Sequence, residues 1–102
     1  MRPFEIYTAL HNWRNCPDRR PWLIIDVRPN GVYGCFPFSS QDYRGSGFEI
    51  SEAHPDFVKT GLSKSCFIQD DHIIELKQSQ LQRYRGELTG DLLSEFKDFA
   101  GL

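Results

Sequence analysis

The hydrophobic residues fall in short clusters separated by turn chemistry, a spacing that predicts strands along most of the chain and a helix only at its end. Residues 22–27 (Trp-Leu-Ile-Ile-Asp-Val) are apolar at every position but Asp26, the pattern of a strand covered on both faces. Pro29-Asn30-Gly31 follows with turn residues, Asn and Gly being those that best tolerate positive φ. Residues 32–38 return as a second strand rich in aromatic and β-branched side chains. Residues 4–10 alternate loosely and read as a strand before this hairpin. Residues 48–51, 62–68, 72–76 and 82–87 read as further strands, with 69–71 as a turn. Residues 11–19, with Asn, Pro and charge, read as an exposed loop, and polar residues 41–47 as another. Residues 54–61 read as one or two helical turns, Pro55 standing in the first turn and Gly61 at the stop. Thr89 caps a helix reaching about Ala100, with Asp91 in the first turn and a stripe of Leu92, Leu93, Phe96, Phe99 and Ala100. The expectation is a mostly β chain: a small antiparallel β-barrel of five to seven strands, with a short internal helix and a C-terminal α-helix that closes it.

Composition narrows the class. The 102 residues are enough for one core and read as a single domain, 1–102. Hydrophobic residues make up 39% and aromatics 14%, which excludes a disordered chain. The formal net charge is −2, unevenly spread: residues 1–44 hold six arginines against four carboxylates, and the remainder six cations against ten. An acidic chain does not grip nucleic acid indiscriminately, but a local arginine cluster can bind one anionic segment. Cys16, Cys35 and Cys66 are odd in number and lack Cys-x-x-Cys spacing, which argues against a disulfide framework or zinc knuckle and for a reducing cytoplasm. No apolar run approaches the ~20 residues of a membrane span, and no signal-peptide pattern appears. No membrane span is therefore expected, and no residue pattern calls for a cofactor.

Candidate chemistry gathers around residues 20–40. In an antiparallel hairpin the residues before the first strand meet those after the second, so Arg20 should lie beside Ser39 and Ser40. An arginine fork donates two parallel hydrogen bonds to a phosphate, and a serine hydroxyl can add another. Trp13, between His11 and Arg14, is either a ring folded over the core or a stacking surface for a nucleobase. Arg14, Arg19, Arg44 and Lys64 are candidate phosphate contacts. His11 and His54 are candidate acids or bases, histidine being the side chain that ordinarily exchanges protons near neutral pH. Asp42 and Glu49 are alternatives.

Several of these pieces occur together in a familiar order. Arg20-Pro21 precedes an apolar strand, and a second strand ends in Pro37-Phe38-Ser39-Ser40. Thr60-Gly61-Leu62-Ser63-Lys64-Ser65 follows, then Gly86-Glu87-Leu88-Thr89 before the last helix. In this order the chain, from Arg20 to its end, resembles the PemK/MazF toxins of bacterial toxin–antitoxin pairs. The resemblance implies an SH3-like barrel, a homodimer, metal-independent cleavage of single-stranded RNA through the neighbouring 2′-OH, and a cognate antitoxin protein whose extended tail fills the RNA groove. Residue by residue it carries over Arg20 and one of Ser39 and Ser40. The segment before Arg20 lacks the family's Gly-x-Glu, and Lys64-Ser65-Cys66 stands where some members place an Arg and an Asp. The same barrel also serves toxins that inhibit DNA gyrase without cutting a bond, so a non-catalytic toxin or interaction module is the alternative.

Overall fold

The computed structural model describes the backbone of residues 1–13, 16–42 and 45–102, with their side chains except those of residues 12 and 16–18. Seven strands appear among them: β1 (Glu5–Trp13), β2 (Cys16–Arg28), β3 (Val32–Ser39), β4 (Phe48–Ile50), β5 (Cys66–Ile68), β6 (Ile74–Lys77) and β7 (Leu81–Glu87). They form an antiparallel sheet in the order β4-β5-β3-β2-β1-β7, with β6 on the first half of β3. Helix α1 (Gly90–Ala100) follows β7. The mostly β barrel with a closing helix is the architecture observed.

β2 explains why one strand can organise the rest. Leu23 and Ile25 point into a core shared with Ile6, Phe36, Phe38, Ile68 and, from α1, Leu92 and Phe96. Trp22 and Ile24 point the other way, onto Ala9, Tyr33, Cys35, Leu76 and Leu81. A fully buried side chain of this size contributes about 1.5–3 kcal/mol, so the two-sided burial of β2 weighs heavily in the fold. Asp26 escapes burial because the β2–β3 register slips between Ile24 and Asp26, and its carboxylate pairs with Arg28 at 3.4 Å.

The largest departure from expectation lies at residues 11–19. The described backbone there is not a loop. β1 and β2 stay paired through Leu10–Arg19 and His11–Asp18 out to Trp13–Cys16, making one long hairpin. Its sequence, with Asn, Pro and charge, carries no apolar alternation, and its order comes from backbone pairing. The other shifts are smaller. The predicted strand 62–68 is extended only at Cys66–Ile68, and the internal helix is a 3₁₀ turn, Phe57–Thr60, ended by Gly61 at φ 69. Thr89 occupies the N-cap of α1, but its hydroxyl is buried without a partner. Asp56 caps the helix instead, accepting from the Leu92 N–H at 3.3 Å.

The sheet leaves β7 and β4 as its ends, and backbone packing covers β7. The 3₁₀ turn lies so close that a Cβ on Gly86 would fall 2.2 Å from the Lys59 carbonyl oxygen, and one on Gly61 1.9 Å from that of Arg85. The first oxygen cannot retreat without moving the 3₁₀ turn, nor the second without moving β7. We expect Gly86→Ala to lower the unfolding free energy by about 1–3 kcal/mol or more, as overpacking does. Urea denaturation followed by circular dichroism measures it, and an unchanged midpoint would contradict the close packing.

Candidate functional site

The β2–β3 ladder runs up to Trp22–Pro37. Neither Pro21 nor Pro37 has an N–H to donate, so prolines stand where the two strands part. Beyond that point β3 pairs with β5 instead, Phe38 opposite Ile68 and Ser39 opposite Phe67. The parting opens a cleft of about 500 Å³. One wall is Arg19, Arg20 and Pro21, and the other is Phe38, Ser39 and Ser40. Leu62, Ser63, Lys64, Cys66 and Arg85 complete it. The strands thus bring the Arg20 side chain and the two serines to one rim, as the hairpin geometry requires.

The charge is one-sided. Arg19, Arg20, Lys64 and Arg85 all line the cleft, and among the described residues the lining includes no carboxylate and no imidazole. In a chain of net charge −2 this is a local reversal, and such a field draws an anion.

Arg20 is held in two ways. Its Nη1 donates to the Phe38 carbonyl at 3.3 Å, and its guanidinium carbon lies 4.9 Å from the centroid of the Trp13 ring. Among the described residues no carboxylate pairs with it. Its Nε is buried without a hydrogen-bond partner, a situation that costs about 1–3 kcal/mol and in native proteins often marks a functional group. Ser39 is buried, and its Oγ accepts from the Gln41 N–H at 3.2 Å, which leaves the O–H to donate. Ser40 is exposed at the rim.

Lys64 rides on a short loop tied at both ends. At one end the Thr60 hydroxyl donates to the Phe57 carbonyl at 2.6 Å and accepts from the Leu62 N–H at 3.2 Å. At the other, the Glu52 N–H donates to Ser65 Oγ at 2.8 Å, and the Ser65 N–H to the Glu52 carboxylate at 3.2 Å.

Arg85 was not singled out from the sequence. Alternation along β7 gives no reason to aim it at the cleft. The register slips between Ile6 and Tyr7, where Gly86 and Tyr84 are the partners, so Arg85 is the extra residue of a bulge. Bulges re-aim side chains. Its Nε and Nη2 donate to the Gly61 carbonyl at 3.3 and 2.9 Å, and its Nη1 to Thr8 Oγ1 at 3.3 Å. The one sequence signal was Gly86 beside it, since a strand glycine often marks a bulge or a close backbone approach.

Other candidates sit elsewhere. The His11 ring meets Trp22 edge-on, centroids 5.4 Å apart, away from the cleft lining. His54 fastens the 3₁₀ turn to α1: its Nδ1 accepts from the Asp56 N–H at 3.0 Å, and its Nε2 lies 3.1 Å from Glu95 Oε2. Trp13 packs on the second core cluster and under Arg20. Asp42 accepts from the Gly47 N–H at 2.9 Å within its turn, and Glu49 is exposed on β4. Arg14 and Arg44 lie outside the described residues. Among the described residues no group of three or more His, Cys, Asp or Glu is arranged to hold a metal ion. No helix among them is long and apolar enough to cross a membrane.

No protein-family model matches the chain, and no curated protein does. Among solved structures it resembles an endoribonuclease in complex with its cognate antitoxin from Mycobacterial species, with a TM-score of 0.64 over 96% of this chain and 90% of that one. The sequences are 17% identical, so the likeness is one of fold.

Burial pushes the Cys66 thiol up to about 11, with Lys64 drawing it partly back, and the Cys35 thiol up to about 12. Both are free thiols. Being raised above their ordinary value, they add stability that is complete below about pH 9 and is lost as pH rises through 11 and 12. We expect the melting temperature to fall over that interval, and the Cys35→Ala, Cys66→Ala double variant to show a shallower fall. Equal slopes would contradict it.

Proposed function

We propose that this chain is a metal-independent endoribonuclease toxin that cuts single-stranded RNA, with residues 1–102 as its one domain. The observation that carries the reading is the cleft whose charged lining, among the described residues, is cationic, with Arg20 and Ser39 on one rim, in a fold like that of an endoribonuclease. That neighbour is held by its antitoxin, which supports a cognate antitoxin protein as partner here. The family resemblance adds a homodimer in the bacterial cytoplasm.

In this reading an RNA phosphate enters between β2 and β3. The neighbouring 2′-OH attacks phosphorus, the O2′–P bond forms and the P–O5′ bond breaks, leaving a 2′,3′-cyclic phosphate and a 5′-hydroxyl. Arg20 offsets the charge that builds on the non-bridging oxygens, and the Ser39 or Ser40 hydroxyl adds a donor to them. Lys64 and Arg19 hold flanking phosphates, while Arg85 fixes the loop that carries Lys64. With no imidazole or carboxylate in the described lining, the 2′-OH proton passes to solvent hydroxide, and water returns one to the leaving O5′.

The purified protein should cut a long RNA in the presence of chelator and leave cyclic-phosphate ends. Arg20→Ala should lower kcat by about 10²–10³-fold while the circular dichroism spectrum is unchanged. A folded, fully active Arg20→Ala variant removes the reading, and intact RNA with wild-type protein favours the non-catalytic alternative. The three phosphate contacts assigned to Arg19, Arg20 and Lys64 predict that log affinity for single strands falls with log salt at a slope of about −2. With solvent as base, log kcat should rise with unit slope from pH 6 to 8. A plateau or bell there would assign the proton to a protein side chain and overturn the solvent-base step.

A further inference from the structure

We propose that Trp13 is a positioning residue for Arg20: the indole holds the guanidinium against the cleft wall in an underbonded state that an incoming phosphate completes. The proposal rests on the ribonuclease reading for its activity arm but not for its structural one.

Three observations carry it. The Arg20 guanidinium carbon lies 4.9 Å from the Trp13 ring centroid, within range of a cation–π contact. The Nη1 of the same group is tied to the Phe38 carbonyl, so the head is gripped from two strands, β1 and β3, while its backbone belongs to β2. Its Nε, meanwhile, is buried with no acceptor. An arginine free to choose its rotamer would turn that N–H to water. That it does not means that the two grips outweigh the unmade bond.

The arrangement suits an anion site. A ring face restricts the guanidinium without neutralising it, whereas a carboxylate would do both. Fixed donors that need no reorganisation are the kind that stabilise developing charge. The ring face that carries Arg20 is closed to a nucleobase, so Trp13 acts through the arginine and does not touch RNA by that face. Its place near the tip of the long β1–β2 hairpin gives that arm a function: it carries the ring over Arg20.

The test uses the full chain with Trp13→Phe, which keeps a π face, and Trp13→Leu, which keeps apolar bulk without one. The Arg20 Nε–H resonance, assigned by its loss in Arg20→Lys, is read by nuclear magnetic resonance. It should be protected from exchange in the wild type and in Trp13→Phe, and should shift on titration with inorganic phosphate. In Trp13→Leu it should exchange rapidly. Against chelator-treated RNA, Trp13→Leu should lose about tenfold or more in kcat with KM within about threefold, and Trp13→Phe should keep at least about a third of kcat. A Trp13→Leu protein with an unchanged Arg20 Nε–H overturns the proposal; if its KM alone has risen, Trp13 is a base-stacking surface. If the wild type cuts no RNA, the ribonuclease reading fails, and the resonance with phosphate still decides the positioning role. Should Trp13→Leu not fold, a ring-fluorinated tryptophan at position 13 weakens the π face at nearly constant shape. Protection that survives fluorination unchanged then refutes the idea.

Discussion

β3 cannot keep one partner along its length. Its first half lies between β2 and β6, and its last residues pair with β5, so at Pro37 the strand leaves β2. A proline stands on each strand at the parting, and the Pro37 carbonyl faces away from β2, accepting from the Gln69 N–H at 2.9 Å. The candidate site follows from that backbone constraint. A sheet that stayed zipped would have no cleft there, and Arg20 and Ser39 would be ordinary neighbours across a ladder.

The electrostatics follow a similar division. Two arginines away from the cleft are matched with carboxylates: Arg28 with Asp26 and Glu75, Arg2 with Glu5 and Glu87. The bonds described for Arg20 and Arg85 go to neutral acceptors, a carbonyl for one, a carbonyl and a hydroxyl for the other. A neutral acceptor orients a guanidinium and leaves its charge in place. That difference, more than the number of cations, separates a binding surface from a salt-bridged one, since exposed ion pairs largely cancel their own field.

What could be read from the sequence was whatever burial imprints on side-chain pattern. The two-faced strand of residues 22–27, the turn at Asn30-Gly31 with φ of 63 and 69, and the apolar stripe of α1 all carry such an imprint. Arg20 and Ser39 were legible because hairpin geometry follows from strand order alone. The outer arm of β1–β2 was not, since it is held by backbone bonds that any polar sequence can make. Arg85 was hidden by a register slip, which reverses the inside–outside rule without changing composition. The placement of the histidines was equally hidden: the structure sets His11 against Trp22 and His54 between the 3₁₀ turn and α1, outside the described cleft lining.

Gly61 and Arg85 meet twice. The arginine head binds the glycine's carbonyl, and the glycine's bare α-carbon presses on the arginine's own carbonyl, while Gly86 does the same for Lys59. A methyl group gained at 61 would push aside the strand that supplies the guanidinium, and losing the guanidinium would free the loop that the glycine begins. Positions 61, 85 and 86 thus form one mechanical unit. In any lineage descended from this chain, drift at one of them should be tolerated only when the other two have moved with it.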